Sequence, residues 1–352
     1  MYFEVTNDGT EPVNIFKADP YSFCSGYQIE VRGGPNTDAP CSPGGVGGSC
    51  ASSDTPLPAG KKYVERLLLN FGHDLNLPGE YSVEVSRAFP SASARLEYYE
   101  APKDTLEVRD TLRFTVDPNA TLESKTLQPW VAQLSSSDPS KRHEAALTLA
   151  SIAPTQLEDT LLAFADVAEF RPFAPLAFHR LNTPRSFAAL AGLVRKAQPG
   201  SNEHLESARY LAASGDQQWF PLLQDVAVKN AQISNYPDDA ATLGGEKMLP
   251  TLVALTDSSD RQFTAVNAVM AMGSTGSRAA VPILIELLKH PDPDMADRAR
   301  FGLRVLTHRA VSMDNADNPY SEYPAWSRWW ALEGASAPIY KPSDCGEVTQ
   351  LH

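Results

Sequence analysis

The chain has 352 residues, 42% of them hydrophobic and 21% charged, with a formal net charge of −13. That length allows two domains with separate cores. Residues 1–118 carry 10 Lys+Arg against 17 Asp+Glu and the rest has a similar deficit, so neither half has the basic surface that nucleic acid or an anionic membrane requires.

No apolar run approaches the roughly 20 residues of a membrane span. The chain opens directly on a strand pattern, Tyr2-Phe3-Glu4-Val5, as it would if a leader had been trimmed away. Period-two patterning continues to about Pro118. It predicts strands at 2–6, 13–16, 27–32, 63–69, 81–87, 96–99 and 105–116, separated by Gly, Pro, Asn and Asp. The alternation in Tyr81-Ser82-Val83-Glu84-Val85 is that of a strand with one buried face. Asp74-Leu75-Asn76-Leu77-Pro78-Gly79-Glu80-Tyr81 puts a Pro-Gly turn before a strand-initial tyrosine and resembles the tyrosine corner of immunoglobulin-like domains. The resemblance implies an antiparallel β-sandwich over residues 1–118 and says nothing of function.

A long Gly/Pro/Ser stretch, 33–57, interrupts these strands. Within it Cys41 and Cys50 bracket Ser-Pro-Gly-Gly-Val-Gly-Gly-Ser, which is flexible enough to close a disulfide ring. The ring is read either as a stapled recognition loop or as plain surface. With Cys24 and Cys345 the cysteine count is even, which points to disulfides and an extracytoplasmic setting; reduced thiols in a cytoplasmic protein are the alternative. No Cys-x-x-Cys occurs, which disfavours zinc. Gly44-Gly45-Val46-Gly47-Gly48 lacks the lysine of a phosphate loop.

After Asp117-Pro118-Asn119 the period changes to 3.6. Helices are predicted at 122–134, 140–152, 156–167, 184–197, 202–213, 218–228, 246–255, 260–272, 278–289 and 295–307. Val269 and Leu303 occupy equivalent places 34 residues apart, so helix pairs stack. Asp257 to Lys289, with Arg261, Ala268, Met272, Gly273, Ala280, Val281, Pro282, Leu284, Leu287 and Leu288, resembles a HEAT repeat; 141–152 and 206–215 resemble further first helices. The resemblance implies a HEAT-like α-solenoid over 119–335, followed by a tail, 336–352. Asn235-Tyr236-Pro237-Asp238-Asp239 reads as a loop interrupting the array, its two carboxylates solvated.

Near the end Tyr320, Tyr323, Trp326, Trp329 and Trp330 crowd together, either as a cap on the last repeat or as a stacking platform for a glycan or other ligand. The polar run 313–318 lacks the glycine and distal glutamate of an EF-hand loop. His143, His179, His204, His290 and His308 show no metal-ligand spacing, and His308 suits a helix C-terminus. With no catalytic motif, the expectation is a non-catalytic scaffold of the cell envelope that binds a protein partner, without cofactor, metal or nucleic acid. The alternatives are ligand binding by the aromatic cluster, or a HEAT-like enzyme, since families of that kind include bilin lyases and DNA-base glycosylases.

Overall fold

The computed structural model describes residues 2–17, 27–33, 53–66, 75, 78–90, 105–117, 124–258, 260–311, 322–334, 336–341 and 349–351. Within it the chain divides into two compact units, 1–137 and 138–352.

The first unit pairs its strands antiparallel. β1 (Tyr2–Thr6) lies beside β5 (Lys62–Arg66), and β2 (Val13–Lys17) beside β4 (Ser53–Leu57). β6 (Gly79–Pro90) runs between β3 (Tyr27–Gly33) and β7 (Thr105–Val116). Alternation works as the pattern requires: Tyr81, Val83 and Val85 are buried, while Ser82 and Glu84 are not. Val5, Leu57, Val83 and Val85 come from all three sheets and share one apolar core with Val13, Ile29, Val31, Tyr63, Val108 and Phe114. Tyr81 stacks on Phe114 with ring centroids 5.4 Å apart.

Two expectations change here. The described strands form three small antiparallel sheets and do not by themselves make the two facing sheets of an immunoglobulin-like domain. The stretch read as a structureless loop, 33–57, ends in β4, where Leu57 supplies the apolar contact that draws the segment onto β2. The expected strand 96–99 lies outside the described residues. α1 (Ser124–Gln133) completes this unit.

The second unit is a two-layered stack of helices. They are α2 (Pro139–Ile152), α3 (Glu158–Leu162), α4 (Ala174–Leu181), α5 (Pro184–Lys196), α6 (Asn202–Ala213), α7 (Phe220–Lys229), α8 (Asn235–Gly244), α9 (Leu249–Thr256), α10 (Val266–Met272), α11 (Ala280–Leu287), α12 (Pro293–Thr307) and α13 (Glu322–Trp329). From α2 to α12 the even-numbered helices pack on one another in chain order, and each odd-numbered helix from α3 to α11 packs on the next even one. Small buried residues let the even layer close up: Ala146 and Ala150 of α2, Ala208 and Ala212 of α6, Ala268 and Ala271 of α10, Ala299 of α12. At its tightest point, a Cβ on Gly273 would stand 2.8 Å from the Gly302 Cα.

Punctuation follows the sequence. Asp138 caps α2 through the Ser140 N–H, and Thr183 and Ser186 form a reciprocal box at α5. Asp292 caps α12, with Pro293 in its first turn, and His308 ends that helix at φ 49°. Arg309–Val311 (β8) then pairs in parallel with Thr349–Leu351 (β9). His308 stacks on Tyr340 at 3.8 Å, and the Tyr340 N–H donates to the Leu306 carbonyl, so part of the tail is tied to the last repeat.

The largest departure from the sequence reading is α8. The run Asn235-Tyr236-Pro237-Asp238-Asp239 is not a solvated loop but the first half of this helix. Pro237 is tolerated because it stands in the first turn, where its missing N–H has no intrahelical partner to lose. The buried stripe is made of Tyr236, Ala240, Ala241, Leu243 and Gly244, too small and too polar to show as an apolar pattern. α4 was also unexpected; it is short, carries Pro175 in its first turn, and buries nearly every side chain.

Candidate functional site

α8 carries Asp238 and Asp239 at consecutive positions, about 100° apart around the helix. They therefore face different neighbours. Asp238 accepts a hydrogen bond from the Ser274 hydroxyl at the exit of α10. Asp239 lies within electrostatic reach of Arg209 and Glu206 of α6. Asp239 is 9% exposed, and its Oδ2 is buried with no hydrogen-bond partner.

Such a carboxyl is expensive. A buried polar atom left without a partner costs about 1–3 kcal/mol. Burial pushes the Asp239 carboxyl well above the usual carboxylate range, and the neighbouring Asp238 pushes it further, against an opposing pull from Arg209. Burial also raises Asp238, and the Ser274 hydrogen bond partly offsets that. Most of the even helix layer is apolar, so this acid pair is where a functional group is to be sought.

The surroundings are polar and aromatic. Arg209 forms an ion pair with Glu206 and lies over the Tyr210 ring, 5.1 Å from its centroid. Tyr210 stacks on His179 of α4 at 4.3 Å, nearly parallel. Burial raises the Tyr210 hydroxyl, so it stays protonated at neutral pH. Below this layer the Tyr236 hydroxyl accepts the Gly200 N–H at 2.8 Å and meets His204 Nδ1 at 2.7 Å. Burial holds His204 below its ordinary value, against a hydrogen bond to the Val194 backbone. The imidazole is thus neutral at pH 7. With its proton on Nε2 it accepts from the tyrosine. The result is a ribbon across α4, α6, α8 and the α10 exit: a stacked ring pair, an exposed guanidinium and a buried acid without a donor.

The aromatic residues singled out near the C-terminus lie elsewhere. Trp326 is fully buried and Trp329 is 5% exposed, their rings edge to face at 5.6 Å. The Tyr323 hydroxyl donates to Glu286, and the Lys289 ammonium sits 4.3 Å from the Tyr323 ring centroid. Trp330 is half-buried, and Tyr320 lies outside the described residues. The buried rings cover the last repeat and present no open face for stacking. Cys24, Cys41, Cys50 and Cys345 all fall outside the described residues, as does 313–318.

His143 meets Phe173 edge-on at 4.9 Å, and His290 accepts the Asp292 N–H at 3.1 Å. Among the described residues no group of three His, Cys, Asp or Glu could hold a metal ion. No helix among them is long and apolar enough to cross a membrane. Sequence reasoning named Asp238 and Asp239 only to set them aside. The available signal was Tyr236, an aromatic just ahead of the acid pair, which is out of place in a solvated loop.

Comparison with known proteins adds one family finding. Residues 265–290 match the model for the PBS lyase HEAT-like repeat. No curated protein matches the chain. Among solved structures, the complex of CpcE and CpcF of phycocyanin lyase from Nostoc sp. PCC7120 is similar at 18% identity and a TM-score of 0.37, covering 55% of this chain and 80% of that one. An engineered protein is similar at 20% identity and a TM-score of 0.30, covering 51% and 95%.

The repeat match corrects three expectations. The non-catalytic envelope scaffold gives way, because the most regular repeat of the chain is of the kind named for phycobilisome lyases. The expectation of no enzyme gives way for the same reason. The extracytoplasmic setting, drawn from the cysteines and the abrupt start, is withdrawn together with the envelope scaffold, on the same repeat match. The second unit is a helical protein of HEAT-like repeats.

Proposed function

We propose that this protein is related to the phycobilisome lyases, its HEAT-like unit taking up a linear tetrapyrrole and working with a protein partner. The observation that carries this reading is the repeat match over 265–290. The site supports it. Ser274, inside the matched stretch, is the residue that holds Asp238. A linear tetrapyrrole is a flat conjugated chain with carboxylate side arms and ring N–H groups. The exposed Arg209 guanidinium suits a carboxylate arm, since its planar fork binds carboxylates in a bidentate manner. The stacked His179–Tyr210 pair offers a flat wall beside it.

The test is to mix the full chain with biliverdin and record its absorption spectrum. A shifted, intensified red band retained through gel filtration supports the reading, and Arg209→Ala should weaken it. A spectrum identical to that of the free pigment, with all pigment eluting separately, defeats it.

A further inference from the structure

Resting on that reading, we propose that Asp239 is the recognition carboxylate of the ribbon, accepting hydrogen bonds from the ring N–H groups of the bound tetrapyrrole. The two adjacent acids of α8 differ in one decisive respect. Asp238 has a donor in Ser274, whereas Asp239 Oδ2 is buried with none. Arg209, the cation in reach of Asp239 among the described residues, is engaged with Glu206 on its own helix. A buried acceptor without a donor is what a ligand bearing N–H groups completes.

The groups facing Asp239 fit that role. From α6 it meets Arg209 and Glu206; on α8 it meets Asp238 and, more weakly, Tyr236. None of the described side chains donates a hydrogen bond to Oδ2. The Arg209 side chain on α6 is 55% exposed, and rotation away from Glu206 would free its guanidinium for a carboxylate arm. Burial raises this carboxyl and so favours its neutral form in the free protein. When convergent N–H donors arrive, they favour its charged form. The carboxyl O–H bond then breaks, its proton passes to the buffer, and both carboxylate oxygens accept from the pigment.

Isothermal calorimetry of biliverdin binding to the full chain, in buffers of different ionisation enthalpy, reads this directly. The wild-type protein should release protons on binding pigment at neutral pH. Asp239→Asn, which copies the shape of the neutral carboxyl, should fold normally by circular dichroism, bind about tenfold more weakly and release no proton. Binding without proton release, or an Asp239→Asn protein with unchanged affinity and release, overturns the assignment while leaving the pigment reading intact. Failure of the wild type to bind overturns both. The wild-type measurement needs no variant, so misfolding of Asp239→Asn would not rescue the proposal.

Discussion

The Tyr236 hydroxyl stands 2.7 Å from His204 Nδ1, tying α8 to the first turn of α6. The same oxygen accepts the Gly200 N–H, so one side chain satisfies two groups of the preceding repeat. This bond is what anchors a segment whose local composition is that of a loop. Tyr236→Phe keeps the ring and removes both interactions. The expected loss is about 1–3 kcal/mol in the urea denaturation of the helical unit, followed by circular dichroism. An unchanged midpoint would mean that the α8 anchor is apolar packing alone.

The pH dependence of stability should carry the mark of Asp239. Its folded pKa is raised, so in the range between the ordinary carboxylate value and that raised value the unfolded chain is ionised and the folded one is not. Stability therefore falls as pH rises through that window. Asp239→Asn removes this dependence, and its advantage over wild type should grow as pH rises above the ordinary carboxylate value. His204 acts in the opposite sense. Its folded value is depressed, so its contribution is lost as pH falls below the ordinary value of 6.5. Denaturation midpoints measured from pH 4.5 to 8 separate the two; an Asp239→Asn advantage that shrinks toward neutral pH would refute the assignment of a neutral buried acid.

Two glycines should respond with opposite signs. Gly273→Ala would set a Cβ 2.8 Å from the Gly302 Cα, forcing α10 and α12 apart at a cost of about 1–3 kcal/mol. Gly192 lies inside α5, and a Cβ there would have nothing within 4 Å of it. Gly192→Ala should therefore gain about 0.5–1 kcal/mol from helix propensity. Thermal melts of the two variants check both, and equal shifts would show that the α10–α12 approach is looser than its geometry implies.

Trp326 should behave as a structural cap. It is fully buried and packs edge to face with Trp329, on which the Arg309 guanidinium also lies, 5.2 Å from the ring centroid. Trp326→Ala should cost about 3–5 kcal/mol and expose Trp329, shifting the tryptophan fluorescence maximum to the red. The same variant should leave pigment binding unchanged wherever the protein is folded. Loss of binding in a folded variant would move the site to the C-terminal aromatics.

The regular part of the stack was legible because each helix there solves its packing with its own apolar spacing. Ala268, Val269 and Met272 repeat against Leu303 and Leu306, and all five are buried as their period requires. In the first unit the alternation of Tyr81, Val83 and Val85 was equally plain, because one buried face writes itself into every second residue. The sheet arrangement was not. Which strand pairs with which depends on partners distant in the chain, as in Leu57 opposite Val13.

By itself the amino-acid sequence determined the acidic balance, the change from period two to 3.6 near residue 118, and the 34-residue repeat, since each is a local property of composition or spacing. Only the tertiary structure decided the fate of Asp238 and Asp239. Read locally, a Pro-Asp-Asp run is a polar turn. Placed in α8 between α6 and α10, it becomes one acid satisfied by Ser274 and another buried without a donor. The reason is physical: desolvation and the supply of hydrogen-bond donors come from neighbouring helices, and neither is written in the residues that experience it.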